Sequence, residues 1–176
     1  MKAIQFLLVL ATAAVVSIAT VRWMGPRGVR AQSPTPGTFA GIPPCRVVDT
    51  RWDNGPFGGP IMEAGETRQY ALASNNNCNT PAPSLPAAAA YALNVTVVPD
   101  GPLEYLTIWG FPGVPLRPNV STQNSWDGQV VANGTIVMIP SDPTHPTHNY
   151  GVISVYVTNR THVIIDALGY FTGATL

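Results

Sequence analysis

At 176 residues, with 45% hydrophobic and only 10% charged side chains, the chain has room for one domain plus a short accessory segment, and enough apolar material for a core. Its 16 glycines and 18 prolines, about a fifth of the residues, suit a loop-rich β-protein, while the hydrophobic fraction argues against global disorder. The zero net charge divides unevenly: Lys2, Arg22, Arg27 and Arg30 hold four of the nine basic charges, leaving five arginines against nine acids, a net −4 with no lysine, and so no basic stripe for nucleic acid or anionic lipid.

In chain order, Lys2 precedes an uncharged apolar run from Ala3 to Val21, and Val29-Arg30-Ala31 follows as a small-residue site. This pattern predicts a secretory signal over residues 1–31, cut after Ala31. An uncleaved anchor is the alternative, because the run of about 19 residues approaches the ~20 needed to span hydrocarbon. Arg22, Arg27 and Arg30 would then lie on the translocated side, against the positive-inside bias. Both readings place the remainder outside the cytoplasm: secreted, periplasmic or at the cell surface, with membrane contact only through an uncleaved N-terminal segment. The two cysteines, Cys45 and Cys78, fit an exported chain and predict one disulfide.

Residues 32–41, with the Pro/Ser/Thr/Gly run of 32–38, are expected as a linker and 42–173 as the domain. Within the domain, apolar runs recur between turn formers without sustained helical spacing. They predict strands over 45–51, 66–73, 88–98, 103–109, 120–126, 129–139, 151–158 and 162–170. Turns are expected at Asp53-Asn54-Gly55-Pro56, Pro99-Asp100-Gly101-Pro102, Asp127-Gly128, Ser141-Asp142-Pro143 and Asn159-Arg160. Period-2 alternation is clearest in Leu93–Val97, in Ile153–Val157 and in Val130–Met138. In the last, one face carries Val130, Ala132, Ile136 and Met138 and the other Asn133 and Thr135. The expected fold is all-β, a two-sheet antiparallel sandwich of about eight strands.

Three landmarks follow one another along the domain: Pro44-Cys45-Arg46-Val47-Val48-Asp49-Thr50-Arg51, then Leu93-Asn94-Val95-Thr96-Val97, then Asp166-Ala167-Leu168-Gly169-Tyr170-Phe171. Their order resembles a poorly characterised β-sandwich domain of bacterial secreted and cell-surface proteins. In that family a P-x-R-[LV]-[LV]-D-T-R start, an L-N-V-T-V middle and a D-x-x-G-Y-F end recur. The resemblance spans nearly all of residues 42–171 and implies a module that occurs alone, in tandem or beside secreted hydrolases. It carries no catalytic residues over. The sequence holds a single copy, and Asn75-Asn76-Asn77-Cys78 with Cys45 reads as a local elaboration.

Candidate sites divide into three groups. Asp49, Arg51 and Asp53 alternate at the end of the first strand, and Asp166 lies on the last, where it can pair with Arg51. Without a dense acidic loop, this set reads as a structural polar network rather than a hard-cation site. Tyr105 and Trp109 flank Thr107 on one strand face, a possible stacking platform for a sugar, with Trp52 and Trp126 as weaker extras. Asp142, His145 and His148 sit in a proline-broken loop that lacks the fixed spacing of a metal site, so no metal and no cofactor are expected.

No nucleophile elbow, P-loop, H-E-x-x-H or dinucleotide fingerprint is present. Glu63 or Glu104 would have to act as the acid of a glycoside hydrolase, with no second carboxylate assigned. The sequence therefore reads as a non-catalytic exported interaction or adhesion module. Its partner is an extracellular protein or polysaccharide that the sequence does not identify. A carbohydrate-binding module using the aromatic strand face is the alternative, and a secreted hydrolase is the more remote one.

Overall fold

The computed structural model describes residues 37–75, 78, 88–111, 117–139 and 151–172. The predicted signal or anchor segment over residues 1–31 and the Asp142, His145 and His148 loop lie outside the described residues. Eight strands are described: β1 (Thr38–Asp49), β2 (Thr67–Ala71), β3 (Ala90–Pro99), β4 (Leu103–Phe111), β5 (Gln123–Ser125), β6 (Val131–Met138), β7 (Val152–Val157) and β8 (Thr161–Thr172). They form two four-stranded sheets, ordered β1-β8-β3-β6 and β2-β7-β4-β5, with every pairing antiparallel. The chain is a two-sheet β-sandwich, as the alternation of apolar runs and turn formers predicts.

The inward residues of the two sheets make one core. Leu93, Val95 and Val97 of β3 and Val163, Ile165 and Ala167 of β8 face it from the first sheet, with Leu106, Ile108, Ile153, Val155 and Val157 from the second. β-branched side chains suit these positions because they fill a pleated face with little rotamer loss. Each one fully buried contributes roughly 1.5–3 kcal/mol of transfer free energy.

Three expectations change in detail. Residues 38–41, expected as linker, are strand: Thr38–Gly41 pair with residues 169–172 of β8, and Phe39 packs on Phe171 at 5.0 Å between ring centroids. The Pro43-Pro44 step that hides this continuity falls at a register irregularity between Gly41 and Cys45, on an edge strand, where missing amide donors are tolerated. The predicted 66–73 strand closes early, into a 3-10 turn at Leu72–Ser74.

β6 is turned over relative to its sequence pattern. Thr135, Asn133 and Val131 lie opposite the inward Leu93, Val95 and Val97, so the Asn133/Thr135 face looks towards the other sheet. Ile136 and Met138, 59% and 41% exposed, look outward with Val130. β6 is the edge of its sheet, close to β5 of the other, and there Asn133 Nδ2 donates to the Thr122 carbonyl at 2.7 Å. An inward polar residue at the open margin of a sandwich can thus be satisfied by the facing chain.

Cys45 of β1 and Cys78 form a disulfide with a sequence separation of 33. Next to it, the buried Asn75 Nδ2 donates to the Val47 carbonyl, so the segment after the 3-10 turn is pinned to β1 by both a covalent and a polar link. A disulfide is compatible with an oxidising compartment.

Candidate functional site

β1 ends in a carboxylate that the fold hides. The Asp49 side chain is 1% exposed, and its two oxygens accept from two arginines. Arg51 grips it bidentately, Nε to Oδ1 at 2.8 Å and Nη2 to Oδ2 at 2.6 Å, and the Arg51 amide adds a bond to Oδ1 at 3.1 Å. Arg46 Nη1 reaches Oδ2 at 3.3 Å. The hydrogen bonds from Arg51 hold the Asp49 carboxyl below its ordinary value of 3.8, outweighing the opposing effect of burial.

Arg46 also joins the first strand to the last, with Nε to Asp166 Oδ1 at 2.8 Å and Nη2 to Oδ2 at 3.3 Å. The expected Arg51–Asp166 pair is therefore corrected. Asp166 lies opposite Arg46 in the β1–β8 ladder, whereas Arg51 has already left the strand. The polar set brings Asp49, Arg51 and Asp166 together, with Arg46 as the bridge. Arg46 stood inside the opening motif, but only the ladder register shows that its side chain lies against Asp166. Thr50 adds a second tie between the same strands: its hydroxyl oxygen accepts the Val163 amide at 2.9 Å and lies 3.0 Å from His162 Nδ1.

From this clamp the chain enters a tight loop. Trp52 N–H donates to Asp49 O, Asp49 N–H to Phe57 O, Gly58 N–H to Gly55 O and Gly59 N–H to Trp52 O, all between 3.0 and 3.2 Å. A Cβ on Gly59 would fall 2.7 Å from the Trp52 carbonyl oxygen and 2.8 Å from Asn54 Oδ1, so this close approach admits only glycine. The peptide that follows, Gly59-Pro60, is cis. Arg68 Nη1 of β2 donates to the Pro60 carbonyl at 2.7 Å, while Met62 and Thr161 exchange both backbone hydrogen bonds. The loop is thus tied down at its start, its middle and its return.

Its outer side forms an open concavity of about 510 Å³, lined by Arg51, Trp52, Asp53, Pro56 and Phe57 together with glycine backbone. Trp52 is 42% exposed, and Phe57 is half-buried against the core. Arg51 is oriented by Asp49 through Nε and Nη2, and its Nη1 makes no hydrogen bond among the described residues. The exposed Asp53 carboxylate has no hydrogen-bond partner among the described residues.

The aromatic strand face looks different. Leu106 and Ile108 are buried and Tyr105 and Trp109 point the other way, as alternation predicts, but both rings are half-buried. Tyr105 packs on Tyr156 of β7 at 5.9 Å, and the Arg117 guanidinium covers the pair, 3.7 Å from the Tyr156 ring centroid and 5.9 Å from that of Tyr105. Thr107 between them is fully buried, its hydroxyl donating to the Val120 carbonyl at 2.5 Å. Trp109 lines an apolar cleft of about 300 Å³ with Ile108, Pro118, Ile136 and Met138, and its indole nitrogen is buried with no hydrogen-bond partner among the described residues. Neither ring is openly exposed.

The remaining acidic candidates are placed as follows. Glu63 accepts from Arg160 Nε at 3.1 Å, and Arg160 also pairs with Asp100. Glu104 is exposed on β4. Among the described residues no group of three His, Cys, Asp or Glu side chains is arranged to hold a metal ion. No family model, curated protein or solved structure matches the chain.

Proposed function

We infer that this chain is an exported, non-catalytic recognition module of a cell surface or extracellular space, of the secreted bacterial β-sandwich kind that its three ordered landmarks resemble. The observation that carries this reading is the loop after β1. A scaffold satisfied by its own hydrogen bonds presents an exposed indole, an unpaired carboxylate and a guanidinium with one nitrogen unengaged. Binding surfaces are commonly built this way, with rigid backbone supporting a few unpartnered side chains. The charged groups nearest to it, Asp49, Arg46 and Asp166, are bound to one another, which suits support rather than proton transfer. Export is supported by the N-terminal pattern and by the disulfide, which fits an oxidising compartment.

Co-sedimentation of the purified exported protein with the isolated envelope of the producing cell tests the reading. Binding is expected, and it should be lost on Trp52→Ala. Turnover of chromogenic ester, peptide or glycoside substrates by the same preparation would replace recognition with hydrolysis. Intact mass of the exported protein checks processing, which removes the N-terminal segment, and oxidation, which removes about two hydrogens.

A further inference from the structure

We propose that the concavity of the 51–58 loop is a binding site for a neutral saccharide, with Trp52 as its stacking surface, Asp53 as acceptor and Arg51 as donor. The proposal rests on the recognition reading above and assigns it a ligand class. A pyranose ring presents an apolar face of C–H groups rimmed by hydroxyls. It therefore needs a flat, electron-rich surface beside one hydrogen-bond acceptor and one donor. Trp52, Asp53 and Arg51 supply these three groups on consecutive residues of one concavity. The indole face attracts polarised C–H groups through the same ring quadrupole that orients aromatic pairs.

Preorganisation strengthens the case. Ordering side chains on binding costs about 0.5–1.5 kcal/mol for each rotamer-rich group, and here the Arg51 side chain and the loop backbone are held before the ligand arrives. Arg51 is fixed by its two bonds to Asp49, the Trp52 backbone by bonds to Asp49 and Gly59, and the loop's return by Arg68 and Thr161. Phe57, packed against the core, backs the concavity from below.

Charge selects among ligands. The Arg51 charge is already matched by the buried Asp49, so the net field at the mouth is that of the Asp53 carboxylate. The residues after position 30, Asp53 among them, carry a net −4. An anionic polymer would meet repulsion with no uncommitted cation to offset it. A neutral glycan meets none, and its hydroxyls can satisfy Asp53 and the unengaged Arg51 Nη1 together. The Tyr105 and Trp109 face is a weaker candidate for the same chemistry, because Arg117 already lies over the tyrosines and the indole nitrogen of Trp109 is buried.

Affinity electrophoresis of the exported protein in gels cast with hydroxyethylcellulose, mixed-linkage β-glucan, xylan, galactomannan and α-glucan tests the proposal, with tryptophan fluorescence titration by the matching oligosaccharides. Retardation by at least one neutral polymer is expected. Trp52→Ala should abolish it, lowering affinity about tenfold or more, without moving the thermal midpoint, since Trp52 is largely outside the core. Trp126→Ala, which removes a more exposed tryptophan from another turn, should leave it intact. Retardation that survives Trp52→Ala, or none on any polymer, overturns the saccharide site. Envelope co-sedimentation separates that result from a failure of the recognition reading. If it still depends on Trp52, the module recognises something other than a neutral glycan. If it is absent as well, both readings fall.

Discussion

Asp49 shows how one side chain can hold a strand end in place. Its carboxylate accepts two charged donors from Arg51, one from Arg46 and one backbone amide, and hydrogen bonds to charged groups contribute about 1.5–3 kcal/mol each before the cost of desolvation is set against them. Both arginines are substantially exposed, so solvent screens part of that gain. Asp49→Asn should therefore lower stability by about 1–3 kcal/mol at neutral pH, read from urea midpoints. The folded carboxyl titrates below its ordinary 3.8, so its contribution is complete above that value and lost as pH falls through the depressed one. The gap between wild type and Asp49→Asn should accordingly close as pH is lowered from about 4 towards 2. A gap that stays constant would place the carboxylate outside the acid transition. At the other extreme, burial raises the Tyr70 and Tyr91 phenols above their ordinary 10.0. Their contribution is full below that value and disappears as pH rises through the folded ones. Denaturation midpoints should decline above pH about 10, in step with the phenolate absorbance.

Among the described elements, β1 is an edge strand paired with β8, interrupted twice in register and tied to Cys78 by the disulfide. Closing a loop with a sequence separation of 33 removes unfolded-state entropy worth about 3–4 kcal/mol. The double variant Cys45→Ala/Cys78→Ala should lose about that much in a guanidinium titration and keep the same strand signature by circular dichroism. Loss of the fold itself would make the bridge a requirement rather than a reinforcement. Strand existence was legible because β-branched runs and turn formers alternate along the whole chain. The register of β1 was not, because prolines 43 and 44 read as a break and the pattern does not say that a strand resumes on their other side. β6 inverted for a related reason. Its apolar and polar faces are clear in sequence, but inwardness is set by the pairing of Asn133 with Val95 and by the Thr122 carbonyl across the gap, both distant in sequence. Likewise Asp49, Arg51 and Asp166 could be named as one polar set from charge pattern alone. Assigning Asp166 to Arg46 needs the ladder. The Trp52 concavity was missed as a leading site because its shape comes from backbone hydrogen bonds within a loop, which residue types do not reveal.

For the molecule as a whole, charge is sparse and negative beyond residue 30, and every described arginine apart from Arg117 is paired with a carboxylate. Arg117 is occupied over Tyr156. Such a surface offers polyanions little counterion release. The purified protein should pass through a heparin column at low ionic strength; retention reversed by salt would reveal a basic surface these residues do not supply. One group of exposed apolar side chains lies at the opposite end of the first sheet from the loop, where Phe39, Ile136, Met138 and Leu168 stand beside the start of β1 and the end of β8.

The pairing of Thr38 with Thr172 has a mechanical consequence. The chain enters and leaves the sandwich through neighbouring positions, while the 51–58 loop follows the far end of β1, about 26 Å away at the rise of the β8 stretch from Thr172 to Ile164 that β1 runs beside. Force applied through the two ends would pull β1 and β8 apart from one margin, breaking their hydrogen bonds in succession like a zip rather than shearing them all at once. Held by either end alone, the sandwich would carry Trp52 beyond the far end of β1.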